Sequence, residues 1–310
     1  MERVERFFKK IHTVGVRVAI RDALRAIWPL WWSRDMELIY QIQLSHISQR
    51  IWRQYKKIIM QSIDSNVGEH SNIIWVCWLQ GEENAPEIIK ACIASMRKWA
   101  KGYEIRLITD KNLLEYVNIP EYIIRKYQEG KITFTHFSDI LRTCLLYEHG
   151  GIWIDSTVLL TGELPKEITT EPFFMYQNKL SYDGSLAISS WLISANSYHP
   201  ILKVIRDVLF AYWKNHNTLC EYFLFHLICT LIVRNNPTCK ELFKAMPYAH
   251  NIDVHMLQFK LFDQWIEEEW SYYTKRSSIH KLNRKFTNPE LLSKNGTNYD
   301  YIIHHLQFSK

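Results

Sequence analysis

Residues 136–160 read His-Phe-Ser-Asp-Ile-Leu-Arg-Thr-Cys-Leu-Leu-Tyr-Glu-His-Gly-Gly-Ile-Trp-Ile-Asp-Ser-Thr-Val-Leu-Leu, and this stretch decides the fold. Ser138 has the chemistry of a helix cap, and Ile140, Leu141, Cys144 and Leu145 recur behind it at helical spacing. The pattern predicts a short amphipathic helix over residues 139–149. Gly150-Gly151 suit a left-handed stop. The β-branched and aromatic run Ile152-Trp153-Ile154 then predicts a buried strand that ends at Asp155. The unit is helix, tight turn, strand, with an acid at the carboxyl end of the strand.

Open α/β sheets hold ligands outside the carboxyl ends of their strands, so Asp155 is expected in a crevice. Asp139 and Arg142 are three apart on the helix and share one face, where they can meet a ligand or each other. Taken singly, these residues are also explained by a helix-face ion pair and an acid capping a turn. Their combination is what points to a site.

Working outward, residues 73–79 form a near-continuous apolar run, the signature of a central strand covered on both faces. Pro86 suits the first turn of a helix whose buried face is Ile89, Cys92, Ile93 and Met96. A second strand over 103–108 ends at Thr109-Asp110, where Asp110 either meets a ligand or caps the next helix. Strand, helix, strand, helix implies parallel pairing and an α/β fold. No G-x-G-x-x-G follows the first strand and there is no P-loop, which argues against nicotinamide cofactors and Walker-type ATP chemistry. Further strands are predicted over 173–176 and 186–195, and helices over 200–213 and 221–233. Without repeats or low-complexity linkers, the two halves are expected to share one sheet.

At 310 residues and 47% hydrophobic, the chain can bury a substantial core. Its six cysteines form no C-x-x-C pair or zinc spacing and sit mostly in apolar runs, as reduced cytosolic thiols do. No secretory signal is visible. The most apolar run, 222–233, falls short of the roughly 20 residues that a membrane span needs. Residues 1–60 hold twelve Lys or Arg against five acids, while the whole chain carries only +6, so the basicity is local. Phe7, Phe8, Trp28, Trp31 and Trp32 accompany it. Such a segment reads as a helical extension packed on the main domain or as an attachment to an anionic membrane surface; no nucleic-acid motif accompanies it. The expected division is an extension over 1–70 and a main domain over 71–310.

Ser138-Asp139-Ile140-Leu141-Arg142 followed by Gly150-Gly151-Ile152-Trp153-Ile154-Asp155-Ser156-Thr157 resembles the core of retaining GT-A glycosyltransferases with a DXD motif. The resemblance is strongest to bacterial capsular polysaccharide synthesis proteins of the glycosyltransferase family 32 type. It implies a Rossmann-like mixed sheet flanked by helices, a nucleotide-sugar donor, UDP-linked, and a lipid-linked saccharide acceptor. By position it puts donor-sugar contacts on Asp139 and Arg142, the DXD segment on Asp155, Ser156 and Thr157, and a base-stacking aromatic on Trp78, which a core tryptophan would equally explain. It also implies a divalent metal, Mn or Mg, held by Asp155, Thr157 and a C-terminal histidine, His304. Thr157 stands where the motif carries its second acid. Lys281 is a candidate diphosphate contact, and Glu221 an acid that orients the acceptor or stabilises charge on the sugar; its alternative role is to favour a helix start.

The function expected from the sequence is therefore hexosyl transfer in surface polysaccharide synthesis, on a cytoplasmic protein peripheral to the inner face of the plasma membrane. The rivals are a non-catalytic scaffold with a degenerate transferase fold, which Thr157 would favour, and a sugar-phosphate transferase.

Overall fold

The computed structural model describes residues 36–64, 66–177, 188–286 and 288–306. The aromatic residues of the basic N-terminal stretch, Phe7 through Trp32, lie outside them.

In chain order the main elements are α1 (Met36–Ile59), β1 (Ile73–Cys77), α2 (Glu87–Trp99), β2 (Glu104–Ile108), α3 (Glu121–Gln128) and α4 (Phe134–His149). They are followed by β3 (Gly151–Ile154), β4 (Val158–Leu160), β5 (Phe173–Gln177), β6 (Ile188–Ala195), α5 (Pro200–Asn215) and α6 (Leu224–Asn235). The chain continues through α7 (Pro237–Ala245), α8 (Ile252–Phe259), α9 (Glu267–Arg276) and β7 (Ile279–Lys281).

The central sheet has the order β2-β1-β3-β6-β5. β1 runs parallel to β2 and β3, whereas β6 is antiparallel to both β3 and β5, so the sheet is mixed. A separate two-stranded ribbon pairs β4 with β7.

Because side chains alternate along a strand, the sheet separates two cores. Trp75 and Trp153 face one side, with residues of α1, α4, α5 and α6. Ile74, Val76, Ile152 and Ile154 face the other, with residues of α2, α8 and β4. Every residue of β3 and β6 is buried, as a doubly covered sheet requires. Leu44, Ile47, Ile51, Tyr55 and Ile59 of α1 belong to the first core, so this helix is part of the main hydrophobic assembly. Among the described residues, no helix is long and apolar enough to cross a membrane.

Helix α4 starts earlier than the sequence pattern indicates. Its cap is Thr133, whose hydroxyl accepts from the His136 backbone N–H at 3.3 Å. The added turn is held by Phe137, which is fully buried. Ser138 therefore lies inside the helix and is not its cap; its hydroxyl accepts from Arg142 Nη2 at 3.2 Å. Helix α6, by contrast, opens later than expected, at Leu224, leaving Glu221 in the preceding turn rather than at a helix start.

The turn after α4 requires both glycines. Gly150 has φ +67°, and a Cβ there would lie 2.8 Å from the Ser197 backbone N. Gly151 has φ +93°, and a Cβ there would lie 2.4 Å from the carbonyl oxygen of Ile73, a strand neighbour on β1. This close approach lets β3 enter the sheet directly after the helix, and it fixes where Asp155 emerges.

Candidate active site

Asp139 and Arg142 sit one turn apart on α4, and both are almost fully buried. Arg142 Nη1 lies 2.9 Å from Asp139 Oδ1, and its Nη2 lies 3.2 Å from Asp155 Oδ1. The indole Nε1–H of Trp153 donates to the same Asp155 oxygen at 2.9 Å. Trp153 and Asp155 are two apart, which puts them on one side of the extended chain. The guanidinium also packs over the rings of Trp153 and Phe225, at 5.0 and 5.9 Å from their centroids. Such a site fixes the planar fork of an arginine, where a lysine would be held loosely.

Burial alone would raise the Asp139 carboxyl; Arg142, helped by His136 and His226, more than reverses this and leaves it below the usual carboxylate range. Arg142 is the cation that counts here, because burial holds His226 down to about 4 and so neutral near pH 7. His136 Nδ1 lies 3.3 Å from Asp139 Oδ2 and braces the acid from the turn before it.

Of these groups, Arg142, Trp153 and Asp155 open on a cavity of about 490 Å³ at the carboxyl ends of β1 and β3, the position expected for a ligand cleft in such a sheet. Trp78 lines it from the end of β1, and the Arg284 guanidinium lies 5.0 Å from its ring. Ser156, Thr157 and Lys281 line it as well. Lys281 Nζ is 3.3 Å from Asp155 Oδ2 and hydrogen-bonds the Thr157 hydroxyl. Its place follows from backbone pairing: Val158 of β4 is opposite Lys281 of β7, and the Leu282 N–H donates to the Thr157 carbonyl at 2.8 Å. Strand alternation turns His280 the other way, where it is fully buried and meets the Thr161 hydroxyl at 3.0 Å.

The structure thus gathers Trp78, Arg142, Asp155, Ser156, Thr157 and Lys281 around one cavity, with Asp139 behind Arg142. It does not bring Glu221 or His304 to that lining. The Glu221 carboxylate accepts from the Tyr40 hydroxyl at 3.4 Å and from the Tyr222 backbone N–H, and it is Tyr222 that faces the cavity. His304 is exposed and lies 3.8 Å from Asp300, within its own helical turn. Sequence reasoning missed His136, Trp153, Tyr222 and Arg284. The first two were readable as i−3 from Asp139 and i−2 from Asp155; the other two carry no local signal.

A divalent cation fits this donor set poorly. Hard cations take six or more oxygen ligands, and at a diphosphate one or two of these are protein carboxylates with an oxygen free for the ion, the rest being substrate oxygens and water. Here Asp155 is the sole acid among the described residues lining the cavity, and both of its oxygens already face cationic groups. Among the described residues, no group of three His, Cys, Asp or Glu is placed to hold a metal.

The sequence matches the family described as "Capsular polysaccharide synthesis protein" over residues 25–302. No curated protein matches it. Among solved structures it is similar to one titled "PaToxG Glycosyltransferase", at 17% identity over 76% of this chain and 94% of that chain, with a TM-score of 0.36. A second, titled as a transferase mutant, is 12% identical over 61% of this chain and 91% of that chain, with a TM-score of 0.33.

Proposed function

The chain belongs to the family of capsular polysaccharide synthesis proteins, and from that premise we propose that it is a glycosyltransferase of GT-A type. In this reading it moves a hexose from a nucleotide sugar, UDP-linked, to a lipid-linked saccharide acceptor at the inner face of the membrane. The observation that carries the reading is the Arg142 guanidinium joining a buried helix acid to a strand-end acid at the wall of a cavity rich in cations.

The roles follow from position. Trp78 offers an aromatic face to the base. Asp155, Ser156 and the Arg142 fork present acceptors and donors to sugar hydroxyls, and Asp139 keeps Arg142 in place. Lys281 and Arg284 supply positive charge for the diphosphate. In the transfer, the bond between the anomeric carbon and the phosphate oxygen breaks and its electron pair leaves with the diphosphate. The acceptor hydroxyl oxygen bonds the same carbon from the same face, giving retention, and its proton passes to the departing phosphate oxygen. The protein's contribution is orientation and fixed charge rather than a covalent intermediate. Glu221 has no part in this reading, because its carboxylate is engaged by Tyr40 away from the cavity lining.

The test is to incubate the purified protein with a panel of nucleotide sugars and measure both binding and release of nucleoside diphosphate. The expected result is binding and slow release with one donor, accelerated by a saccharide acceptor. No binding to any donor would overturn the reading, and phosphate retained on the acceptor would replace it with sugar-phosphate transfer.

A further inference from the structure

We propose that this chemistry is metal-independent, with the Lys281 ammonium, held between Asp155 and Thr157, as the counter-charge to the departing diphosphate. The inference rests on the glycosyltransferase reading and concerns what takes the metal's place within it.

Three observations carry it. The first is the occupancy of the Asp-Ser-Thr segment. Asp155 Oδ1 takes Trp153 Nε1 at 2.9 Å and Arg142 Nη2 at 3.2 Å, and Oδ2 faces Lys281 Nζ at 3.3 Å. The Thr157 hydroxyl, at the position where a second metal-binding acid would stand, accepts from that same ammonium. A divalent ion bridging Asp155 and Thr157 would have to expel Lys281 and then sit beside a guanidinium.

The second is that Lys281 is built into place. Its side chain is 18% exposed, and the β4–β7 register sets it beside the Asp-Ser-Thr turn. The Leu282 N–H to Thr157 carbonyl bond closes the ribbon at that point. The third is the charge of the lining. Arg142, Lys281, Arg284 and Lys285 face a single carboxylate among the described residues, the balance expected where an anion is neutralised by side chains.

As the anomeric carbon–oxygen bond breaks, negative charge grows on the leaving phosphate oxygen, and the Lys281 ammonium donates to it. The new bond comes from the acceptor hydroxyl, whose proton leaves on the diphosphate. The balance needs no metal, oxidant or further reactant. Fixed cations aimed at developing charge are a general means of stabilising such a transition state.

The test is made on the full chain stripped with EDTA, with UDP binding followed by calorimetry and nucleoside diphosphate release followed separately, each with and without added Mn or Mg. The expected result is that the affinity and the release rate each change by no more than about twofold across these conditions. Lys281→Met is expected to cut release by about 100-fold, with no rescue by either metal. Lys281→Arg, which keeps the charge if the smaller substitution disturbs folding, is expected to retain metal-free UDP binding. Binding and release that vanish in EDTA and return with Mn would overturn the inference while leaving the transferase reading standing. Absence of release with every donor, with and without metal, would overturn both.

Discussion

Arg142 Nη2 stands 3.2 Å from Asp155 Oδ1, so a side chain of α4 reaches across the Gly150-Gly151 turn to the acid that ends β3. Its other terminal nitrogen holds Asp139 at 2.9 Å. One guanidinium therefore sets the spacing of two acids from different elements, and its fork geometry is what a substitution would lose first.

Arg142→Lys is expected to reduce nucleoside diphosphate release by about 100-fold, because a lysine reaches only one of the two acids at a time. Arg142→Met also leaves Asp139 buried without its cation and should lower unfolding free energy by about 3 kcal/mol, read in urea titrations. A lysine variant with unchanged release would show that the fork is structural only.

Trp78→Ala removes the aromatic wall of the cavity at the end of β1. Stacking of a base on an aromatic ring is worth about 1–3 kcal/mol, so UDP affinity should fall by roughly 5- to 150-fold. The turnover number is expected to change less than the Michaelis constant for the donor. An unaltered affinity would assign Trp78 to packing alone.

Acid should destabilise the fold in a definite window. Burial pushes His199 and His280 down to about 4 from an ordinary 6.5. Between those values the unfolded chain binds protons that the folded chain refuses, so stability is complete above about pH 6.5 and is lost as pH falls toward 4. Each unit of separation is worth about 1.4 kcal/mol, which makes the combined loss several kcal/mol at most. Asp139, held low, acts in a lower window, as pH falls below the ordinary carboxylate range. His199 stacks on Phe173 with centroids 4.4 Å apart, so His199→Phe keeps the shape and removes the titration. Its urea midpoint should differ less between pH 7.5 and 5.0 than the wild type's.

Gly151→Ala is expected to cost about 1–3 kcal/mol from its backbone conformation alone. It should cost more because the new Cβ would lie 2.4 Å from the Ile73 carbonyl and force β1 and β3 apart. Thermal unfolding and diphosphate release should fall together, since the same displacement moves Asp155. Wild-type stability would mean that the turn tolerates a side chain.

The helix, turn and strand around Asp155 were legible because each leaves a local mark: buried residues at helical spacing, paired glycines and a β-branched run. The start of α4 was misread because Ser138 offers a plausible cap, while the true cap, Thr133, gains its meaning from the burial of Phe137, a tertiary fact. The parallel β2-β1-β3 half followed from alternating strands and helices. The mixed sheet was expected from the resemblance; the residues themselves do not mark the reversal at β6, since pairing direction depends on how the chain crosses the sheet. Lys281 was expected as a diphosphate contact, but nothing local indicates which side chains it meets. Its meeting with Asp155 and Thr157 depends on the β4–β7 register, which joins segments more than 120 residues apart. Glu221 was suggested by the resemblance; the structure shows its carboxylate accepting from the Tyr40 hydroxyl, a long-range contact that carries no sequence signal.

The central claim, that this cleft transfers a sugar from a nucleotide donor, is tested most directly by diphosphate release from purified Asp139→Asn and Asp155→Asn beside wild type, with circular dichroism confirming the fold of each. The account predicts release by the wild type with one donor and loss of at least about 100-fold in both variants. Wild-type rates in both folded variants would contradict it.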